Sequence, residues 1–163
     1  MKSIVLIGMP GAGKSTIGVL LAKALGLKFI DTDISIQNAE KRLLQNIIDK
    51  DGIEAFLQIE ERVVLGIETE DTVIATGGSV VYSGKAMEKL KSSCIIIYLK
   101  IDFPETERRL NNIKTRGIVM ENGKGLIDIY NERTPLYMQY ADIALDCTGK
   151  SVEEVFDKIL ENL

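Results

Sequence analysis

The stretch Gly8-Met9-Pro10-Gly11-Ala12-Gly13-Lys14-Ser15-Thr16 constrains this chain more than any other. It fits G-x-x-x-x-G-K-[ST], a phosphate-binding loop, and that loop needs a strand before it and a helix after it. Both are present. Ser3-Ile4-Val5-Leu6-Ile7 is a short apolar run rich in β-branched residues and predicts a buried strand. Ile17 to Leu25 is apolar, rich in helix formers and stopped by Gly26. Glycines let such a loop curl with its N–H groups inward, making a nest for an anion. The following helix adds free N–H groups and the positive end of its dipole. Lys14 brings a full charge towards the β- and γ-phosphates, and the Ser15 hydroxyl is placed for the magnesium ion that bridges them.

Totals matter only for what they exclude. The chain has 163 residues, which predicts one domain with a real core. Its formal net charge of −4 argues against general nucleic-acid binding, which needs a basic face. Histidine is absent, so catalysis falls to carboxylates, lysine and arginine. Cys94 and Cys147 lie in no metal-ligand pattern, and Cys94, just before Ile95-Ile96-Ile97, reads as a small core residue. The first strand begins almost at the N-terminus, so no signal peptide is expected. No apolar run approaches the length of a membrane span. A cytoplasmic protein without a membrane partner is the expectation.

Along the chain, Lys28-Phe29-Ile30 predicts a second strand that delivers Asp31-Thr32-Asp33 at its carboxyl end, where ligands of open α/β sheets gather. The two aspartates face the same way on an extended segment. Asp33 also reads as a helix cap, because the next stretch is helical. Residues 34–65 predict helices broken near Asp51-Gly52, with Glu60, Glu61 and Arg62 on a solvated face. Thr72-Val73-Ile74-Ala75 is a strand. It runs into Thr76-Gly77-Gly78-Ser79, either a plain turn or backbone that approaches a ligand closely. Gly84 to Lys91 is helical, and Cys94 to Leu99 is the clearest buried strand. Pro104 opens a helix carrying Arg108 and Arg109. Residues 111–124 turn polar and predict a mobile lid with a lone Arg116. Leu126 to Tyr140 is helical, with Pro135 expected to kink or interrupt it. Ile143-Ala144-Leu145 is a last strand, and Ser151 caps a final helix. Alternating strands and helices give an α/β protein with about five parallel strands covered on both faces.

The landmarks GMPGAGKST (8–16), DTD (31–33), DGIEAFLQIEE (51–61), ATGGS (75–79), the Arg108-Arg109 pair before a lid, and NERTPLY (131–137) together resemble the shikimate kinase family over nearly the whole chain. The resemblance implies a three-layer α/β/α P-loop kinase fold, related to nucleoside monophosphate kinases, with strand order 2-3-1-4-5. It implies a single domain, 1–163, with substrate-binding helices at about 34–65 and a lid at about 111–124. The implied reaction moves the γ-phosphate of ATP to the 3-hydroxyl of shikimate in aromatic amino-acid biosynthesis. Carried onto this sequence, Gly11, Ala12, Gly13, Lys14, Ser15 and Thr16 hold the ATP phosphates, and Arg109 lies against the adenine. Ser15 and Asp31 serve magnesium. Asp33 orients the hydroxyl and accepts its proton. Arg133 pairs with the substrate carboxylate, and the N–H groups of Gly77 and Gly78 hold the same ligand. Arg116 reaches over the phosphates with Lys14 when the lid closes. The implied partner is a small hydroxy acid and the implied state a monomer.

Three positions depart from the family pattern. Leu57 stands where an arginine usually follows the phenylalanine, Ser79 where a third glycine is usual, and Gly117 where a proline is common. The missing arginine normally shares the substrate carboxylate. One lost charge-assisted hydrogen bond is typically worth ~1.5–3 kcal/mol, or roughly ten- to hundredfold in affinity. Arg62 lies more than a helical turn beyond Leu57 and is not expected to substitute. Two rival readings therefore stay open. One is a kinase of the same fold acting on another hydroxylated metabolite or a nucleoside monophosphate. The other is a nucleotide-binding module without turnover.

Overall fold

The computed structural model describes residues 2–111 and 123–163. Five strands form one parallel sheet: β1 (Ser3–Ile7), β2 (Lys28–Asp31), β3 (Thr72–Ala75), β4 (Cys94–Lys100) and β5 (Ile143–Asp146), in the spatial order β2-β3-β1-β4-β5. This is the three-layer α/β/α P-loop kinase arrangement that the sequence implied. β1 is central, pairing with β3 from Ile4↔Val73 to Leu6↔Ala75 and with β4 from Ser3↔Cys94 to Ile7↔Tyr98.

Side-chain alternation along β1 explains the two-sided core. Val5 and Ile7 pack on one face with Ile74, Ile96, Tyr98 and Tyr137, whereas Ile4 and Leu6 pack on the other with Ile17, Leu21, Ile97 and Ile159. Helices α1 (Lys14–Leu25) and α8 (Val152–Asn162) cover the second face, while α5 (Gly84–Ser93) and α7 (Leu126–Tyr140) cover the first. Helix α6 (Phe103–Asn111) follows β4. Among the described residues, no helix is long and apolar enough to cross a membrane.

The expected helical run at 34–65 is three helices: α2 (Thr32–Glu40), α3 (Leu44–Asp51) and α4 (Ile53–Gly66). The unforeseen break sits at Lys41, which takes a left-handed φ of 56°, followed by the extended Leu43. These helices carry their own small core of Ile36, Leu44, Ile47 and Phe56, with Leu57 packed against it. The proline expected to break α7 does not, since that helix runs unbroken through Pro135. Pro135 lies on an exposed side of the helix, and the Thr134 hydroxyl bonds the Tyr130 carbonyl at 2.6 Å.

Candidate active site

All the chemistry gathers beyond the carboxyl ends of β1, β2 and β3. The loop after β1 is shaped by glycine geometry. Gly8 has φ 146°, and a Cβ there would sit 2.7 Å from the Leu99 carbonyl oxygen, so glycine is the residue that fits. Gly13, at φ 94°, opens α1 without a side-chain cap, which leaves first-turn amides for a ligand. Lys14 is 7% exposed and folds back over the loop, its Nζ donating to the carbonyls of Gly8 at 2.7 Å and Met9 at 2.8 Å. Arg109 on α6 closes the other side. Its Nη1 donates to the Gly11 carbonyl at 3.0 Å and its Nε to Glu105 at 2.9 Å.

The mouth of the loop meets the end of β2. Ser15 Oγ donates to Asp31 Oδ2 at 2.6 Å. The other oxygen of Asp31 caps α2, accepting from the N–H groups of Asp33 at 2.9 Å and Ile34 at 3.4 Å. The capping role that the sequence left open for Asp33 therefore falls to Asp31. A hydroxyl and a carboxylate side by side suit a hard divalent cation, which prefers oxygen donors and keeps waters of its own. Among the described residues, no cluster of three or more histidine, cysteine, aspartate or glutamate side chains could hold a metal alone. A cation here would thus share its coordination with phosphate and water.

The turn after β3 is where the loop meets the acceptor side. A Cβ on Gly77 would fall 2.8 Å from Glu60 Oε2 and 2.9 Å from Asp33 Oδ1; one on Gly78 would meet Pro10 Cδ at 2.8 Å and Arg133 Nη1 at 2.9 Å. Both glycines are therefore required by the close approach of these side chains. The N–H of Gly77 is already donated to Thr32 Oγ1 at 3.0 Å, so its amide serves the fold and its missing side chain serves the site. Tyr137 Oη donates to the Gly78 carbonyl at 2.6 Å and fixes the turn from α7.

Arg133 lies in this wall, 1% exposed. Its Nε donates to Tyr82 Oη at 3.2 Å, and its guanidinium carbon lies 5.3 Å from the Tyr82 ring centroid. Tyr82, in the short 3-10 turn Val80–Tyr82, was not singled out by the sequence reading.

Glu60 is the second residue that reading missed. It was assigned to a solvated face with Glu61 and Arg62, but Glu60 is 2% exposed. Phe56, Glu60 and Val64 form the buried stripe of α4, and this four-residue spacing was the available signal. Glu60 Oε1 accepts from Ser79 Oγ at 2.7 Å, while Oε2 is buried without a hydrogen-bond partner. Burial pushes its carboxyl up to about 7, and the nearby Asp33 charge adds to the rise; the Ser79 hydroxyl, Arg133 and Lys14 oppose it. Of its neighbours, Glu61 accepts from Ser83 Oγ at 2.5 Å. Arg62 ion-pairs with Glu40 at 2.5 Å, its side chain 66% exposed. Arg116 lies outside the described residues.

The family model for shikimate kinase matches residues 10–163. The chain belongs to the shikimate kinase family. The relatives match over nearly their whole lengths. It is 35% identical to the shikimate kinase of Bacillus cytotoxicus, covering 100% of this chain and 99% of the relative. It is 38% identical to that of Mycobacterium avium, covering 98% and 92%. The solved shikimate kinase of Acinetobacter baumannii in complex with shikimate superposes with a TM-score of 0.90 at 29% identity, over 99% of this chain and 92% of that one. Members of this family are phosphotransferases that use ATP and an alcohol acceptor.

Proposed function

We propose that this chain transfers the γ-phosphoryl group of ATP to the 3-hydroxyl of shikimate, acting on a small molecule as a cytoplasmic monomer. One observation carries the reading. A Cβ added to Gly78 would meet both the loop residue Pro10 and the guanidinium of Arg133, at 2.8 and 2.9 Å. A phosphate cradle and a buried cation suited to a carboxylate therefore share one wall, with Asp33 beside them.

The roles follow from placement. The N–H groups of residues 11–16 and the Lys14 ammonium hold the triphosphate, with Arg109 flanking the nucleotide. Ser15 and Asp31 would hold magnesium, which neutralises phosphate charge when bound. Arg133 and the Gly78 amide take the acceptor carboxylate. Asp33 orients the acceptor hydroxyl. The hydroxyl oxygen forms a bond to the γ-phosphorus, the bond from that phosphorus to the β-bridging oxygen breaks, ADP leaves, and the hydroxyl proton passes to Asp33. Arg116 would contribute a further positive charge to the phosphates.

A coupled assay of ADP release with shikimate, polyols, sugar acids and nucleoside monophosphates tests this. Turnover on shikimate above all others is the expected result. The altered-acceptor reading is favoured by one feature, the apolar packing of Leu57 at the position of the family's arginine. Preferred turnover on another member of the panel would replace shikimate with that acceptor. ATP binding without turnover on any of them would leave a nucleotide-binding module. If shikimate is the acceptor, Leu57→Arg should tighten its binding by roughly tenfold or more.

A further inference from the structure

The acceptor wall contains a buried carboxyl group that the reaction does not consume. Glu60 is anchored through Oε1 to Ser79 Oγ, and its Oε2 lies unpartnered in the same space as Asp33 Oδ1, the two oxygens converging under Gly77. An ionised carboxylate in that position would face Asp33 as a like charge and leave a buried oxygen unsatisfied, the two conditions that most disfavour charge.

Among the described residues, three charged groups act on Glu60. Asp33 comes from α2, Arg133 from α7 and Lys14 from the start of α1. Helix α3 meets α4 through the apolar Leu44 and Ile47 around Phe56, the 3-10 turn packed on α4 brings Tyr82, which accepts from Arg133, and Lys89 of α5 is spent on the carbonyls of Val64, Leu65 and Ile67 at the far end of α4.

Leu57 makes this arrangement intelligible. With an arginine there, the acceptor wall would hold two guanidinium groups against two carboxylates. Here Leu57 is committed to the apolar cluster around Phe56 and brings no charge to that wall. A carboxylic acid bonded to a serine hydroxyl needs no cation, which is what the Ser79–Glu60 pair supplies.

We propose that Glu60 is a specificity-determining positioning residue: an anionic acceptor binds the form in which Glu60 is neutral, so that binding above neutrality takes up one proton. The neutral form leaves the field of Arg133 available to the acceptor's carboxylate. The ionised form cancels that field and repels the anion. The selected ligand class is a hydroxylated monoanion, and a dianionic phosphate acceptor is disfavoured in the same wall. This inference rests on the reading of shikimate as acceptor.

The test is calorimetric titration of the full chain with shikimate from pH 6 to 9, in buffers of differing ionisation enthalpy. The shikimate carboxylate stays ionised throughout, so its own titration does not intrude. With Glu60 titrating near neutrality, Kd should rise roughly fivefold or more between pH 6 and pH 8, with proton uptake approaching one per shikimate bound. Binding of the magnesium–ADP complex should not follow that profile. Leu57→Arg should bind shikimate with a flat profile, because an added guanidinium keeps Glu60 ionised. Glu60→Gln should also be flat and match the wild type at pH 6. If Glu60→Gln fails to fold, the wild-type proton count and the Leu57→Arg profile still decide. Shikimate binding with a pH-independent Kd and no proton uptake overturns this inference and leaves the proposed function standing. Absence of shikimate binding at every pH overturns both.

Discussion

The nucleotide end and the acceptor end of this site are built on opposite plans. The nucleotide end is one contiguous segment, Gly8 to Thr16, whose work is done by main-chain groups held in shape by glycine geometry and by Lys14 bonding back to Gly8 and Met9. The acceptor end, as proposed, is assembled from α2, α4, the turn after β3 and α7, where the side chains of Asp33, Glu60, Ser79 and Arg133 gather. Backbone recognition tolerates change around it, because every residue but proline carries an N–H. Side-chain recognition does not, and it is the acceptor end that carries Leu57 and Ser79.

Substitutions at the two ends should therefore fail in different ways. The largest effect is expected for Lys14→Ala, which removes the loop's only ammonium. Turnover at saturating substrates should fall by about 10³-fold, with ATP binding weakened as well. Steady-state kinetics with nucleotide titration would check it, and retention of near-normal turnover would erase the distinction. Asp33→Asn should come next, lowering kcat by about 10²-fold while ATP affinity stays within about twofold. A proportionate loss of ATP affinity would mean that the two ends are not separable.

Gly78→Ala tests the shared wall. The added methyl would press on Pro10 and Arg133, at 2.8 and 2.9 Å. The KM for shikimate should rise roughly tenfold, with a smaller change for ATP. An equal rise for both would show the loop giving way before the arginine. The smallest effect concerns stability. The carboxyl of Glu60 rises from 4.5 when unfolded to about 7 in the fold. The native state thus holds this proton more tightly than the unfolded chain. Stability contributed by the neutral form is complete below about 4.5 and is lost as pH climbs through 7. Glu60→Gln carries no such dependence. Its melting temperature, relative to wild type, should be higher at pH 8 than at pH 5 by roughly 5 °C. A difference that does not vary with pH would place the Glu60 titration outside this range.

The same contrast explains what could be read from the sequence. The phosphate loop was legible because its geometry is local: strand, glycines, lysine and helix follow one another without interruption. The strand order came from family likeness, and the sheet bears it out. Asp31 and Asp33 were legible as a pair at a strand end, but the division of labour between them was not. Capping depends on which carboxylate oxygen meets the α2 amides, and spacing does not encode that. Glu60 was misread because three charged residues in a row look solvated, although its spacing from Phe56 and Val64 pointed inward. Tyr82 was missed because its partner lies on α7, 51 residues away, and nothing in a local window records such a contact. Pro135 was expected to interrupt α7 by a rule for isolated helices, but that helix is held in place by the packing of Ile129 and Tyr137 against the sheet.

Asp31 has one oxygen on Ser15 and the other on the first amides of α2, two residues from Asp33. The carboxylate is therefore a mechanical joint between the two substrates. A metal ion seated with the nucleotide would draw on one arm of that joint, while the other arm holds the backbone that carries Asp33. Coupling between the two substrates would need no long relay through the molecule, because one side chain spans the gap between them.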